Sequence, residues 1–136
     1  MIVVDASLAL KLVLREDDSM HAQSLWHQWE GAGEPLCAPA LFRAETASVL
    51  RREIYRQHIT EDEGRQGFET LQRLSIEIRE PGGLYEVAWS YAERFNRSTV
   101  YDSCYLALAG IFGCELWTAD RRLVNAANEL PWVRLL

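Results

Sequence analysis

Apolar residues in this chain fall into short unbroken blocks that alternate with longer stretches in which they return every three or four positions. Ile2-Val3-Val4 is the first block. It is rich in β-branched residues, stops at once against Asp5, Ala6 and Ser7, and reads as a short buried strand running straight into a helix. Ala6 to Leu14 carries Leu8, Ala9 and Leu12 at helical spacing. Asp17, Asp18 and Ser19 offer caps for a second helix, which bears Met20, Ala22, Leu25, Trp26 and Trp29 and is closed by Gly31 and Gly33. Pro35 to Ala38 is a second strand, and Ala40 to about Gln57 a long helix. Thr60 with Glu63 three residues on is a capping-box signature that opens another helix to about Leu74.

Ile76-Glu77-Ile78 alternates and reads as the third strand, after which Pro81-Gly82-Gly83 breaks the chain before a helix bearing Leu84, Val87, Ala88, Tyr91, Ala92 and Phe95. Ser98 and Thr99 precede a helix from Tyr101 through Ala109, ended by Gly110 or Gly113. Glu115 to Thr118 is the fourth strand, Ala119 to about Asn128 a helix, and Trp132 to Leu135 a closing strand behind Pro131. Strands that alternate with helices, with no hairpin turn between any two, imply an α/β fold of parallel strands joined by helical crossovers. In such sheets ligands bind outside the carboxyl ends of the strands, which is where Asp5 stands.

Composition narrows the class without changing that picture. A chain of 136 residues, 49% hydrophobic and 25% charged, is long enough for one domain with its own core and too apolar for disorder. No repeat, linker or low-complexity segment divides it, so residues 1–136 read as a single domain. No apolar run approaches the roughly 18 residues needed to cross a bilayer, and the first residues enter a strand without a basic leader, so the expected location is the cytoplasm. The formal charge of −6 argues against binding nucleic acid by bulk electrostatics, though not against a local basic rim. Cys37, Cys104 and Cys114 are odd in number, widely spaced and set among apolar residues, which reads as core thiols. His21, His27 and His58 lack metal-ligand spacing.

The acids carry the chemistry. Asp5 and Asp120 each follow an apolar strand directly and so fall near one edge of the sheet. Asp102 shares a helical stripe with Leu106 and Ala109, and Glu45 lies in line with Leu41, Ser48 and Val49; both put a charge where the pattern calls for a core residue. Each acid also has a structural reading. Asp5 can cap the first helix, Asp120 can sit in a first turn capped by Thr118, and Asp102 can be the third-position partner of Thr99. Glu45 has no capping role at all, and four acids so placed suggest convergence.

Converging carboxylates call for a cation. Two of them about 4 Å apart repel by about 4 kcal/mol at an effective dielectric near 20. A site of carboxylates alone, without histidine or thiolate, suits a hard ion, Mg²⁺ or Mn²⁺, which pairs naturally with phosphate and can activate a bound water for in-line attack on a phosphodiester.

The segments Val-Val-Asp-Ala-Ser, Phe-Arg-Ala-Glu-Thr-Ala, Tyr-Asp-Ser-Cys-Tyr-Leu-Ala-Leu-Ala and Trp-Thr-Ala-Asp-Arg-Arg-Leu, in this order across the whole chain, resemble a PIN domain, and most closely the VapC-type toxins of bacterial toxin-antitoxin pairs. The resemblance implies a three-layer α/β/α fold with a central parallel sheet of about four to five strands. It implies a Mg²⁺-dependent endoribonuclease, a VapB-type antitoxin as inhibitory partner and a homodimer. By position, Asp5, Glu45, Asp102 and Asp120 match the family's acidic quartet, with Asp5 and Asp102 as direct metal ligands, and Ser7 and Thr118 match its supporting hydroxyls. One departure follows Asp120: some relatives carry another acid there, whereas this chain has Arg121, Arg122 and then Asn125, a residue suited to a contact through water.

Arg43, Arg51, Arg52, Arg121 and Arg122 lie near the quartet in sequence and would serve to hold RNA phosphates, with solvated helix faces as the plainer reading for Arg51 and Arg52. Leu8, Leu12, Leu25, Trp26 and Trp29 read first as core and second as a groove for an amphipathic antitoxin segment. Two rivals come from other classes. A phosphatase or receiver-like domain also places acids at strand ends, but here Asp-Ala-Ser replaces paired acids and Lys11 is the only lysine. The other is a non-catalytic module or co-repressor acting through its partner, which metal titration would distinguish.

Overall fold

The computed structural model describes residues 1–136. Five strands, β1 (Ile2–Val4), β2 (Leu36–Ala38), β3 (Ile76–Ile78), β4 (Glu115–Thr118) and β5 (Val133–Leu135), form one sheet in the order β3-β2-β1-β4-β5, with every neighbouring pair parallel. β1 is central, as a run with no polar residue must be, and all three of its side chains are buried. From β1 the chain builds outward through β2 to β3, then crosses back to lay β4 and β5 on the other side. The winding therefore reverses between β1 and β4, which is where such a sheet opens a crevice outside its strands' carboxyl ends.

Seven helices cover the sheet: α1 (Ala6–Leu10), α2 (Ser19–Gly31), α3 (Leu41–Tyr55), α4 (Glu61–Arg73), α5 (Leu84–Arg94), α6 (Tyr101–Phe112) and α7 (Arg121–Ala126). Side chains alternate across the strands and divide the interior in two. Val3, Cys37 and Leu116 face a core of 21 buried residues that draws on α1 and on α3 through α7. Ile2, Val4 and Leu36 face the other way, onto Leu8, Trp26 and Trp29. This is the expected α/β/α sandwich, with α2 supplying most of the second outer layer.

That thin layer explains the tryptophans. A single helix covers the second face, so it needs large side chains, and Trp29 meets Trp26 and Trp117 edge to face at 6.0 and 5.7 Å between ring centroids. Leu8, Trp26 and Trp29 are buried, with Leu12 and Leu25 packed partly against them, so these residues form core and leave no groove of their own for an antitoxin.

Two helix ends depart from expectation. α1 stops at Leu10 rather than Leu14, because the N–H groups of Lys11, Leu12 and Val13 bond three residues back, to Leu8, Ala9 and Leu10, and tighten into turns. Lys11 then turns its ammonium to Glu16 and Asp18. At α6, Val100 is the N-cap, so Thr99 and Asp102 do not form a capping box, and the helix runs past Gly110 to Gly113, whose φ of +63° suits glycine. From Ser103 to Ala109 every residue of α6 is buried, and its small side chains let it thread the core with only its two ends, Tyr101-Asp102 and Gly110 to Phe112, near solvent. The Thr60–Glu63 capping box is present as read.

Candidate active site

Asp5 ends β1 and caps α1, its Oδ1 accepting the Leu8 N–H at 3.0 Å. The capping reading is thus correct, but it accounts for only part of what surrounds this carboxylate. Ser7 Oγ donates to Oδ1 at 2.7 Å, and Thr118 Oγ1, from the end of β4, donates to Oδ2 at 2.5 Å. The N–H of Ala119 donates to Ser7 Oγ, and that of Asp120 to Thr118 Oγ1, both at 2.9 Å. A hydroxyl has one proton to give. With backbone donors already on their oxygens, Ser7 and Thr118 direct their protons onto Asp5, so their own 3.2 Å approach is mere proximity. The β1–β4 seam thereby focuses three donor groups, two hydroxyls and one backbone N–H, on one carboxylate.

That carboxylate is only 6% exposed. Burial is the largest influence and pushes its pKa from an ordinary 3.8 up to about 6; the bonds from Thr118, Ser7 and Leu8 oppose it, and the charge of Asp102 adds to the rise. Glu45, on α3, is half-buried and likewise raised, first by burial and then by the charges of Asp5 and Asp102, with the Tyr105 hydroxyl pulling the other way. Asp5, Glu45 and Asp102 therefore share one electrostatic neighbourhood, although they lie on three elements separated widely in sequence.

Asp120 stands apart in orientation. Its Oδ1 accepts the N–H groups of Arg122 and Leu123 at 2.8 and 3.3 Å and so caps α7, a role the sequence had assigned to Thr118. Thr118 instead ties Asp120's backbone to Asp5's side chain. Asp120 joins the others through that hydroxyl rather than through its own carboxylate.

Two residues at the site were missed from sequence. Arg97, in the loop before α6, pairs with Asp102 Oδ2 at 2.7 Å, and the buried Tyr105 donates its hydroxyl to Glu45 Oε2. Tyr105 follows Asp102 by three positions, which places both on one helix face, and that spacing was the available signal. Arg97 offered none, since a loop arginine reads as solvated.

As the side chains lie, no three acidic, histidine or cysteine groups are set in ligating geometry. The donor set nonetheless suits a hard divalent ion. Glu45, Asp102 and Asp120 each keep one oxygen in bonds to the protein and leave the second without a protein partner, while Asp5 has both oxygens bonded, Oδ2 by a single hydrogen bond that leaves it a lone pair. Burial raises both Asp5 and Glu45 first, and the smaller part of the rise that comes from neighbouring acid charges is the repulsion such an ion would relieve.

The remaining expected residues lie further out. Arg121, Arg122 and Asn125 are exposed on α7 without ion pairs or side-chain bonds, and exposed Arg43 bonds to Gln72 at 3.1 Å. Arg51 and Arg52 are exposed, as the plainer reading had them. Cys37 and Cys104 are buried, with burial pushing each thiol up to about 11, and the three histidines are exposed. A cavity of about 530 Å³ between the end of α1 and helices α3 and α4 is lined by Leu12, Glu53, His58 and Glu63 among others and contains none of the four acids.

Comparison with known proteins places the chain in a family and supports its fold. Residues 2–129 match the family model described as PIN domain. The chain is 40% identical over 128 residues to ribonuclease VapC9 of Mycobacterium tuberculosis, covering 94% of this chain and 92% of that protein. It is 33% identical to ribonuclease VapC12 of the same organism, over 100% of this chain and 99% of the other. Among solved structures, PAE2754 from Pyrobaculum aerophilum superposes with a TM-score of 0.68 at 23% identity, covering 92% of this chain and 83% of that one. VapC20 of M. tuberculosis, described as a sarcin-ricin loop cleaving toxin, also gives 0.68, at 18% identity and with 93% and 95% covered. These two support the fold.

Proposed function

This chain belongs to the PIN domain family, and from that membership we propose that it is a VapC-type toxin, an endoribonuclease that hydrolyses RNA phosphodiester bonds. Nucleases of this kind depend on divalent metal. For this chain the ion is Mg²⁺, with Mn²⁺ able to replace it, because the ligands on offer are carboxylate oxygens alone. Asp5, Glu45, Asp102 and Asp120 would hold it, with Asp5 and Asp102 as its direct ligands. When bound, such an ion acidifies water and offsets the charge that builds on the phosphodiester during in-line attack.

The chain's own residues do the rest. Ser7 and Thr118 keep Asp5 ionised and fixed in orientation. Glu45, with Oε1 unpartnered, takes the proton of the attacking water, and Asp120 Oδ2 helps to orient it. Arg43, Arg121 and Arg122 are exposed cations for the phosphates of single-stranded or looped RNA. The toxin works in the cytoplasm as a homodimer and is restrained by a VapB-type antitoxin; no helix of the chain is long and apolar enough to cross a membrane.

The observation that carries this reading is the buried Asp5, held by three protein donors, two of them hydroxyls, at the β1–β4 seam, inside the field of Glu45 and Asp102. The test is cleavage of end-labelled RNA in Mg²⁺, which chelator and Asp5→Asn should each abolish. Cleavage that persists in either case rejects the mechanism. Failure to take up Mg²⁺ or Mn²⁺ in a calorimetric titration would favour a non-catalytic module acting through its antitoxin.

A further inference from the structure

We propose that the cavity beside Asp102, walled by Trp89 and edged by Arg97, is a nucleobase subsite that receives an unpaired base of single-stranded RNA adjoining the phosphate to be cut. This rests on the ribonuclease reading above and extends it to how the strand is held.

Trp89, on α5, is 61% exposed, while its neighbours Ala88 and Ala92 turn into the core. The other four tryptophans are buried or half-buried, so this indole is the one left facing water. It lines a cavity of about 510 Å³ together with Ala92, Glu93 and residues 96–100, a size within the roughly 300–1,000 Å³ of small-ligand clefts. Five of the eight lining residues are polar or charged. An aromatic wall with a polar, wet margin is what an unstacked base requires, one surface for its π-face and hydrogen-bonding groups for its edge.

The cavity is joined to the acids through a single side chain. Arg97 lines it and pairs with Asp102 at 2.7 Å, so whatever occupies the cavity lies one arginine away from the proposed metal ligand. The Arg97 backbone is fixed, its N–H bonded to Ala92 O at 2.8 Å where α5 ends, and the chain turns at Asn96 with φ of +50°. Glu93 on the rim repels phosphate but accepts hydrogen bonds from an exocyclic amino group, so the cavity takes the base and leaves the phosphate to Arg97. A second copy of the chain docking here would have to bury Glu93 and Arg97 in a concave, mostly polar wall, at a desolvation cost a nucleotide avoids.

The experiment measures binding of a fluorescein-labelled ten-nucleotide single-stranded RNA of randomised sequence to the full chain in EDTA, by anisotropy, alongside cleavage of the same RNA in Mg²⁺. Trp89→Ala should weaken binding by roughly 5- to 100-fold, Trp89→Phe should retain most of it, and the melting temperature of both should match wild type. If the wild type binds and cuts but Trp89→Ala binds equally well, the subsite is rejected and the ribonuclease reading stands. If Trp89→Ala instead converts a dimer to monomers in sedimentation, the surface joins two copies and the subsite is again rejected. A wild-type protein that neither binds nor cuts RNA overturns both.

Discussion

Thr118 and Asp5 are 113 residues apart in the chain and 2.5 Å apart through Thr118 Oγ1 and Asp5 Oδ2. Thr118 is fully buried and also accepts the Asp120 N–H, so Thr118→Val, nearly isosteric, strips a bond from each side and leaves both groups without that partner. We expect a loss of about 1–3 kcal/mol in urea unfolding and a large fall in cleavage, whereas Thr118→Ser keeps both near wild type.

The buried Asp5 gives metal-free protein a pH signature. A carboxyl raised to about 6 in the folded state and ordinary in the unfolded one destabilises the fold when ionised, so this group's contribution improves as pH falls from 7 through 6 toward 4. The full swing is about 3 kcal/mol. Asp5→Asn should remove that dependence and raise the melting temperature at pH 7.5 in EDTA while abolishing cleavage. Its amide can replace the network, because Thr118 Oγ1 has a second lone pair to accept it and can then turn its proton to Ser7. Melting curves between pH 5 and 8 check this; a wild-type curve with no gain on acidification, or a mutant no more stable at pH 7.5, contradicts it.

With Asp102 as a ligand in the proposed metal site, its ion pair with Arg97 would compete with the cation. The pair is about a third exposed and screened, so its removal is worth less than 1 kcal/mol. Arg97→Gln should tighten Mn²⁺ binding by up to about fivefold in calorimetry and weaken RNA binding at the same time. Unchanged metal affinity would mean that the guanidinium leaves Asp102 without cost.

Tyr105 keeps its proton, since burial and the Glu45 charge push its phenol well above the ordinary range, and it therefore acts as a donor to Glu45. Tyr105→Phe preserves the packing and costs about 1 kcal/mol of stability. It also removes the bond that holds Glu45 down, so the acidic limb of the pH–rate profile should move to higher pH, while the melting temperature falls by only a few degrees. A limb that stays in place would separate Glu45 from the proton transfer.

Much of the fold was legible because its strongest constraints are local. An apolar run with no polar break, as in Ile2-Val3-Val4, can only sit at the middle of a sheet, and Trp26 and Trp29 at i, i+3 can only face inward together. The positions of Asp5 and Asp120 after their strands followed from the same logic. Strand order did not, since nothing in β4 says that it lies against β1 rather than β3. The site was legible in its acids and opaque in their partners: Asp102 looked misplaced on its helix, but the arginine that accompanies it sits in a polar loop where charge is expected. The early end of α1 was hidden because Leu12, Val13 and Leu14 keep an apolar pattern while their backbone tightens into turns.

The seam that joins the first strand to the fourth also bears on synthesis. Asp5 precedes Thr118 by 113 residues, so during synthesis the carboxylate emerges well before the hydroxyl that orients it. A chain cut short before Thr118 should therefore lack cleavage activity even where its first strand and helix have formed.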